Sequence, residues 1–518
     1  MNIPNRIEKL RKVMDENQID VYLVPSDDNH QSEYVGEHFK SRAYITGFTG
    51  SAGTAFIAKN SAGLFTDGRY FVQAGKQLKN SGVELFKMFE PGVPTLNEHL
   101  YNIVPENGVL GFDGRVVSMN LGKKLASELS EKGVTLKTDK DLIDQIWEDR
   151  PCLSKEPVFF LDERFSGEST VSKLSRVREV MKEKGADYHV IAALDDVDWL
   201  VNLRGNDISY FPLVLAYAIV SMDQMYLYID ECKLSDSIRA ELKQADITLR
   251  PYDSVYEDVL ALEEGKKVLI DPDRINYELY NRLSQKMVLI EAENPTVLMK
   301  SMKNQTELDN FKIAQIKDSV ALVRFMKWIK DSFADTNAYP VITELSACDK
   351  LEEFRKEQKD YIRQSFDPIM AYGENAALPH YAPTKESNTT VIPGNFLLAD
   401  TGGGYMQGST DITRTFAIGE ISDTMKKHFT LVMVGNLRLA SMVFYDKTYG
   451  FELDLVARQA LMKEGLDYNH GTGHGIGYLL NVHEGPNGFR WRIVPERKDS
   501  GTLEEGMITT DEPGVYLE

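Results

Sequence analysis

The chain has 518 residues and a formal net charge of −20, with 42% hydrophobic and 27% charged residues. This length allows roughly three domains of 100–200 residues each, and the composition is that of a globular protein with an ample core. The negative charge argues against nucleic acid or an anionic membrane as a partner, because both carry the same sign of charge.

Signals for export, membrane insertion and disulfide bonding are weak. No apolar run is long enough to span a bilayer, and the opening Met-Asn-Ile-Pro-Asn-Arg does not begin a signal peptide. Cys152, Cys232 and Cys348 are odd in number and far apart, which argues against a disulfide framework. We therefore expect a cytoplasmic protein.

The first predicted element is an amphipathic helix, for which Asn5 and Glu8 are placed to form a capping box. Its apolar face consists of Ile7, Leu10, Val13 and Met14. Strands are predicted at 20–25, 43–45, 54–58 and 63–66. Helices and strands that alternate in this way indicate an α/β domain.

The same plan recurs further along the chain. Residues 178–187 parallel residues 11–20, and the interval between them is far longer than a solenoid repeat. We therefore predict two related domains side by side, at 1–150 and 151–296.

These two domains offer little catalytic chemistry. Asp195, Asp196 and Asp198 come nearest to a ligand cluster, and we interpret them as a solvated turn. The duplicated domains are thus expected to be architectural or to restrict substrate access.

A boundary near Pro295 opens a third domain at 297–518. Asn304 and Glu307 suit the N-cap and N3 positions of a long helix. Its apolar positions are Leu308, Phe311, Ala314 and Ile316. A second helix is predicted at 341–358, followed by short strands.

Residues 395–415 organise this third domain. An apolar run ends in Asp400, and the glycines at 402–404 suit the positive-φ positions of a tight turn. From Asp411 the residues alternate as in a strand. Such a hairpin sets Asp400 and Asp411 side by side, and a metal ion is the simplest counter-charge for two facing carboxylates. The alternative is a solvated hairpin with two surface aspartates.

Four of the nine histidines lie in segments marked by glycine or proline: His380, His470, His474 and His483. His470 and His474 have the spacing of a zinc-protease helix, but the alternate glycines at 471–477 disfavour a helix by about 1 kcal/mol each. In an extended segment the two histidines and Thr472 share one face. With Glu512 at the end of a later apolar strand, these residue types together indicate a metal-dependent site.

The order of these motifs resembles the pita-bread metallopeptidases. The two aspartates are followed by His474 in Gly-Thr-Gly-His-Gly-Ile-Gly and by Glu512 in Thr-Asp-Glu-Pro-Gly. The phrases His-Tyr-Ala-Pro and Leu-Asn-Val-His-Glu-Gly-Pro resemble the Xaa-Pro aminopeptidases in particular. The resemblance covers essentially the whole chain. It implies an α/β and α+β protein with two tandem creatinase-like N-terminal domains followed by a pita-bread catalytic domain.

The resemblance also implies a homodimeric hydrolase that removes the first residue from peptides with proline in the second position. Its two divalent ions would be held by Asp400, Asp411, His474 and Glu512. Asp411 would bridge them, and manganese suits such oxygen-rich ligands best, with cobalt and zinc as alternatives. A hydroxide between the ions would attack the carbonyl before proline.

The remaining roles come from the same resemblance. Glu512 would also shuttle a proton, His380 and His483 would hold the scissile carbonyl and the intermediate, and His470 would line the proline pocket.

One ligand of the family has no counterpart here. The family carries a further bridging glutamate in an Arg-Ile-Glu-Asn-like strand, whereas this sequence stops at Glu518, which lies outside that motif. We therefore expect a chain shortened at its C-terminus, with the second metal site weakened or empty and with less activity than an extended version.

Two other functions stay open at this point. A prolidase-like dipeptidase would use the same chemistry in a closed-off site. A non-catalytic pita-bread binding module would have lost its metal ligands, which four retained ligands argue against.

Overall fold

The structure is a computed structural model that describes residues 2–335, 338–494 and 499–517, so Glu518 lies outside the described residues. The chain divides into two compact units. The first consists of Met1–Phe159, Thr170–Ser209 and Leu213–Pro295. The second consists of Phe160–Ser169, Tyr210–Pro212 and Thr296–Glu518.

The chain begins with helix α1 at Ile3–Glu16. Asn2 is the N-cap, because its side chain accepts a hydrogen bond from Asn5 N, and a proline lies in the first turn. The predicted capping box of Asn5 and Glu8 is therefore wrong, since the helix starts earlier.

The elements that follow to residue 150 are β1 (Val21–Val24), α2 (Ser41–Thr46), β2 (Thr54–Ala58), β3 (Ala62–Thr66), α3 (Phe71–Gln77), β4 (Glu84–Lys87), α4 (Leu96–Ile103), β5 (Val109–Gly111), α5 (Met119–Ser130) and β6 (Thr135–Lys137). The strands predicted at 54–58 and 63–66 are confirmed as β2 and β3. The strand predicted at 43–45 is wrong, because these residues lie in α2. Gly47, with a φ of 80°, ends this short helix with a left-handed cap, and Ile45 is buried in the core.

Between residues 151 and 294 the elements are β7 (Phe159–Phe160), α6 (Glu163–Ser166), α7 (Thr170–Lys184), β8 (Tyr188–Ile191), α8 (Leu194–Val201), β9 (Leu203–Arg204), β10 (Ala216–Ser221), β11 (Met225–Ile229), α9 (Asp236–Gln244), β12 (Ile247–Arg250), α10 (Val255–Asp258), β13 (Lys267–Ile270), α11 (Tyr277–Leu283) and β14 (Val288–Glu291).

Two six-stranded sheets of the first unit share one topology. Their strand orders are β4-β3-β2-β1-β5-β6 and β12-β11-β10-β8-β13-β14. In both, the first strand in sequence pairs antiparallel with one later strand and parallel with another on its other side. The predicted duplication is confirmed by this identical order.

The interpretation of Asp195, Asp196 and Asp198 as a solvated turn is wrong. All three are buried in α8, where every residue from Leu194 to Val201 is buried. Asp198 Oδ2 accepts a hydrogen bond from Val214 N at 2.8 Å, and Asp196 Oδ2 accepts one from Asn294 at 2.7 Å. Asp196 and Asp198 thus bond α8 to other segments of the same domain.

From Pro295 onward the elements are α12 (Pro295–Ser301), α13 (Gln305–Ser332), β15 (Ile342–Thr343), α14 (Glu344–Lys356), β16 (Tyr361–Gln364), β17 (Ile369–Tyr372), β18 (Thr390–Val391), β19 (Asn395–Thr401), β20 (Gly403–Tyr405), β21 (Gly408–Ser409), β22 (Ile412–Ile418), α15 (Asp423–Ala440), α16 (Gly450–Met462), β23 (Gly473–Gly475) and β24 (Glu484–Phe489). The capping box of Asn304 and Glu307 at the start of α13 is confirmed. Ile316 was predicted on the apolar face, but it is 65% exposed, because the buried face of α13 runs through Phe311, Ala314 and Phe325.

Two three-stranded sheets carry the centre of the second unit, in the orders β17-β19-β22 and β16-β20-β21. Side chains of α13 and α14 pack on the first of these sheets, with Phe325, Leu351, Met370, Leu397 and Phe416 in one core cluster. This packing fixes the strands that carry the two predicted aspartate ligands. Among the helices of the described residues, none combines the length and apolar character that crossing a membrane requires.

The first unit should lose stability as the pH falls from 6.5 towards 4. His189 on β8 is fully buried, and burial lowers the pKa of its imidazole from 6.5 to about 4. The folded state keeps the ring neutral, so the stabilisation is complete above pH 6.5 and is lost as the unfolded chain takes up a proton below it. This linkage amounts to about 3 kcal/mol. We expect His189→Gln to flatten the decrease in melting temperature between pH 6.5 and 4, and an unchanged slope would contradict this assignment.

Candidate metal centre

Asp400 and Asp411 come from neighbouring antiparallel strands. Asp400 lies near the end of β19, opposite Thr413 of β22, and Asp411 directly precedes β22. Since Asp411 and Thr413 are two residues apart, both point to the face of the sheet that Asp400 occupies. The two carboxylates are therefore close, as the alternation in the sequence predicts.

The glycines between them do not form the predicted tight turn. The chain instead continues through β20 and β21, and the positive φ of this segment belongs to Gly408, at 129°. A Cβ atom on Gly402 would lie 2.0 Å from the Thr410 carbonyl oxygen and 2.1 Å from Ser365 Oγ. Close approach of neighbouring chain segments is thus the reason for glycine at this position.

His474 lies on β23 and contacts two of the predicted ligands. Its Nε2 atom is 3.3 Å from Asp411 Oδ2 and 3.2 Å from Glu512 Oε1. Its Nδ1 atom bonds to the Gly475 carbonyl at 2.9 Å, and because a carbonyl only accepts, Nδ1 carries the proton. Nε2 therefore faces the two carboxylates and is the ring nitrogen that a metal ion would take, with Nδ1 anchored to the backbone as in metal-binding histidines.

The histidine segment is extended, and its glycines are required by close packing. A Cβ atom on Gly473 would lie 1.9 Å from the Thr510 carbonyl, and one on Gly475 would lie 2.2 Å from the Glu484 carbonyl. The segment ending at Glu512 therefore runs tightly against β23, with Thr510 N donating to His474 O at 2.9 Å. Of the two sequence alternatives, the extended one is confirmed and the helix is excluded.

The centre concentrates negative charge. Burial raises the pKa of Asp400 well above its ordinary value, and Asp411 and Glu512 raise it further. Burial alone would lower the pKa of His474, but Glu512 and Asp411 raise it well above the ordinary value. Burial opposes the change at Glu512, yet His474 lowers the pKa of this carboxyl to about 2. Three carboxylates around one imidazole leave a net negative charge that suits divalent cations.

The atoms fit an ion placed between them. Two ligands that each lie about 2.1 Å from an ion, at tetrahedral to octahedral angles, are about 3.0–3.4 Å apart. The two His474 separations fall within this interval. Asp400 Oδ1 is buried and has no hydrogen-bond partner in the part of the chain that the structure describes. Across residues 2–335, 338–494 and 499–517, no three His, Cys, Asp or Glu side chains stand as a complete ligand group for a metal ion.

Two further histidines adjoin this centre, and one lies on a separate loop. The ring of His483 is 4.3 Å from the ring of His474. The ring centres of His470 and Tyr468 are 4.8 Å apart. The buried Nε2 atom of His470 has no hydrogen-bond partner among the described residues. His380 is half-buried in the loop 373–389, which leaves β17 next to the Asp400 strand.

Sequence reasoning missed two buried Asp–Arg pairs beside the ligands. Asp318 and Arg355 bond at 2.6 Å and contact the threonines next to Asp400 and Asp411, since Arg355 donates to Thr401 and Thr410 donates to Asp318. The second pair, Asp454 and Arg458, lies behind the His474 segment at 2.5 Å. The spacing of four between Asp454 and Arg458 was visible on the sequence, but their burial was not.

Family models match the chain in three stretches. Models described as the creatinase/prolidase N-terminal domain match residues 6–146 and residues 149–307. The model of metallopeptidase family M24 matches residues 309–518.

Similarity to individual proteins extends along the full chain. Xaa-Pro aminopeptidase 1 of Dictyostelium discoideum is 39% identical over 524 residues, which are 99% of this chain and 82% of the relative. The chain belongs to the Xaa-Pro aminopeptidase family of M24 metallopeptidases. In this family, the solved X-prolyl aminopeptidase of Caenorhabditis elegans, described as a cytosolic enzyme with a di-nuclear active site, matches with a TM-score of 0.93 and 34% identity. The match covers 100% of this chain and 85% of that one.

The predicted fold class is confirmed by these matches: two creatinase-like domains precede an M24 pita-bread domain. Prolidases of the same metallopeptidase family are more distant. The prolidase of Thermococcus sibiricus is 22% identical, with a TM-score of 0.54 over 68% of this chain and 91% of that one, which shows a shared fold alone. As an M24 metallopeptidase, the chain is a hydrolase.

Proposed function

We propose that this metallopeptidase releases the first residue from peptides whose second residue is proline. The observation that carries the proposal is the contact of His474 Nε2 with both Asp411 and Glu512. The full-length similarity to Xaa-Pro aminopeptidase 1 of Dictyostelium discoideum, at 39% identity, supports the choice of substrate.

We infer that the centre has ligands for two divalent ions, with Asp411 shared between them. Asp400 would contribute Oδ1, which has no hydrogen-bond partner among the described residues, to one ion, and His474 with Glu512 would hold the other. Carboxylate oxygens outnumber nitrogen in this set, so we propose Mn²⁺ as the native ion, with Co²⁺ and Zn²⁺ as competitors. When bound, such ions activate a water molecule and polarise the scissile carbonyl.

Glu512 is the proposed proton carrier. Thr510 Oγ1 donates to Glu512 Oε1 at 2.9 Å, and Glu512 N donates to the Thr472 carbonyl at 2.7 Å, so both ends of the residue are held. A carboxylate fixed in this way can take a proton from the attacking water and return it to the leaving proline nitrogen.

The histidines are proposed to bind the substrate. His483 lies against His474, within reach of a carbonyl at the centre. Nδ1 of His470 donates to the Gly471 carbonyl at 2.8 Å, which leaves Nε2 for the substrate, and Tyr468 and Tyr516 give this side an aromatic wall. For His380 the proposed contact with the scissile carbonyl or the intermediate rests on the family resemblance.

Three organisational proposals accompany this function. The domain limits are 1–150, 151–296 and 297–518. Because the Caenorhabditis elegans relative is described as cytosolic, we propose the same location for this chain. We also propose that it acts as a homodimer joined through the catalytic domain.

A peptide of the form Xaa-Pro-Xaa should be cleaved after its first residue when Mn²⁺ is supplied. The matched control replaces proline by alanine and should be cleaved far more slowly. Mass spectrometry of the products identifies the bond. Turnover of a Xaa-Pro dipeptide with none of the longer peptide would instead support a prolidase-like dipeptidase.

Asp411→Ala should remove both activity and metal retention, because it deletes the ligand shared by both ions. Asp423→Ala, at a fully exposed position in the first turn of α15, is the matched control and should behave like the unaltered chain. Metal content after desalting is measured by mass spectrometry. If Asp411→Ala keeps two ions per chain, the bridging role is wrong.

The dimer proposal predicts association at micromolar concentration in sedimentation. The loop 441–449 exposes apolar side chains, among them Val443 at 93% and Tyr445 at 91% exposure. Exposed apolar patches of this kind favour self-association. Replacing both by glutamate should yield monomers, whereas Val341→Glu, also at an exposed valine, should not. An unaltered chain that sediments as a monomer argues against the dimer.

A further inference from the structure

Thr472 is linked to two of the proposed metal ligands, His474 and Glu512. Its carbonyl accepts the hydrogen bond from Glu512 N at 2.7 Å. His474 follows two residues later on the same extended segment; its N donates to Thr510 Oγ1 at 2.9 Å, and its carbonyl accepts from Thr510 N at 2.9 Å. A displacement of Thr472 would therefore move His474 and Glu512 together.

The hydroxyl of Thr472 is held from two sides in a fully buried position. Its Oγ1 atom donates to Asp454 Oδ1 at 2.6 Å. Because its single hydrogen is used there, the 2.5 Å contact with Tyr468 is a bond that the phenol donates. Donor and acceptor are both satisfied, which fixes the rotamer of this side chain.

Asp454 in turn is held by Arg458, one turn further along α16. Arg458 Nε donates to Asp454 Oδ2 at 2.5 Å, and both side chains are fully buried. The guanidinium also donates to the backbone carbonyls of His470, at 2.7 Å, and of Tyr468, at 2.6 Å. It lies 3.8 Å from the ring of Tyr468 and 4.2 Å from that of Trp491. Tyr468, His470 and Thr472 are thus all bonded to the Asp454–Arg458 pair.

Stability alone is a weak reason for such a pair. Removing two charges from water is costly, and buried ion pairs can often be replaced by apolar side chains with little loss of stability. Their better supported use is to specify one geometry, and partners behind metal ligands typically change metal affinity by about 10–100-fold when mutated. Here the pair acts on the backbone and hydroxyl of the ligand segment.

We propose that Asp454 and Arg458 are positioning residues for the metal centre. Through the Thr472 hydroxyl they set the separation of His474 and Glu512, and so the affinity for the ion that these two ligands hold. The proposal rests on the proposed function only in requiring that the centre binds divalent ions.

The test is a Co²⁺ titration of the metal-free full chain, followed by visible absorption and without any peptide. Thr472→Val keeps the shape of the side chain but removes the hydroxyl, whereas Thr472→Ser keeps the hydroxyl and removes the methyl group. We expect the Val variant to bind one equivalent of Co²⁺ about 10–100-fold more weakly, and the Ser variant to bind nearly as the unaltered chain does. Thr66→Val removes another buried hydroxyl, which donates to the Ala52 carbonyl, and should leave Co²⁺ binding unchanged.

Thermal unfolding of each metal-free variant separates positioning from folding. We expect Thr472→Val and Thr66→Val to lower the melting temperature similarly while only the former weakens Co²⁺ binding. If Thr472→Val does not fold, Thr472→Ala removes the same hydroxyl and should show the same weaker binding of one equivalent of Co²⁺. Equal Co²⁺ affinities for the Val, Ala and Ser variants overturn the proposal. An unaltered chain that binds no Co²⁺ overturns the metal centre itself, which is a different outcome.

Discussion

The repulsion among three carboxylates in one buried centre is the constraint on which the rest of the catalytic domain depends. Asp400, Asp411 and Glu512 approach from two neighbouring strands and a later segment of the chain, and the His474 imidazole lies against Asp411 and Glu512. Left to themselves, such groups would separate or take up protons, as the raised pKa of Asp400 indicates, with burial as its main cause. A scaffold that keeps them together must therefore be rigid, and the cations it then attracts complete the charge balance.

The rigidity comes from buried ion pairs that bond to residues lying next to the ligands, or a few positions from them, along the chain. Arg355 and Asp318 contact Thr401 and Thr410, which adjoin Asp400 and Asp411 along the chain. The Asp454–Arg458 pair has the same relation to the histidine segment. In both cases a threonine hydroxyl links a helix-borne charge to a strand-borne ligand. Two halves of the centre that are distant in sequence are thus held by the same chemical arrangement.

The features that local chemistry determines could be predicted from the sequence. The capping box at Asn304 and the neighbouring strands of Asp400 and Asp411 follow from local patterns, and the duplicated α/β plan follows from two such local patterns that recur far apart along the chain. The glycines at 402–404 show the limit of this reasoning. Their number suggested a turn, whereas Gly402 is required by the approach of Thr410 and Ser365. Residues 43–45 were mistaken for a strand for a related reason, since burial of Ile45 favours the same residue types in α2.

Buried acids could not be sorted into structural and metal-binding ones from the sequence, because their counter-charges lie far away along the chain. Asp195 and Asp196 on α8 raise the pKa of Arg274, although burial of that guanidinium opposes the change. Asp207 is paired with Lys233 at 2.6 Å. Those carboxylates have protein cations as partners, so they stabilise the fold of their domain. At the metal centre Asp411 and Glu512 both face His474, and burial together with these two carboxylates raises the pKa of Asp400. The balance of counter-charge, more than burial or acidity, therefore separates the ligand site from the structural cluster.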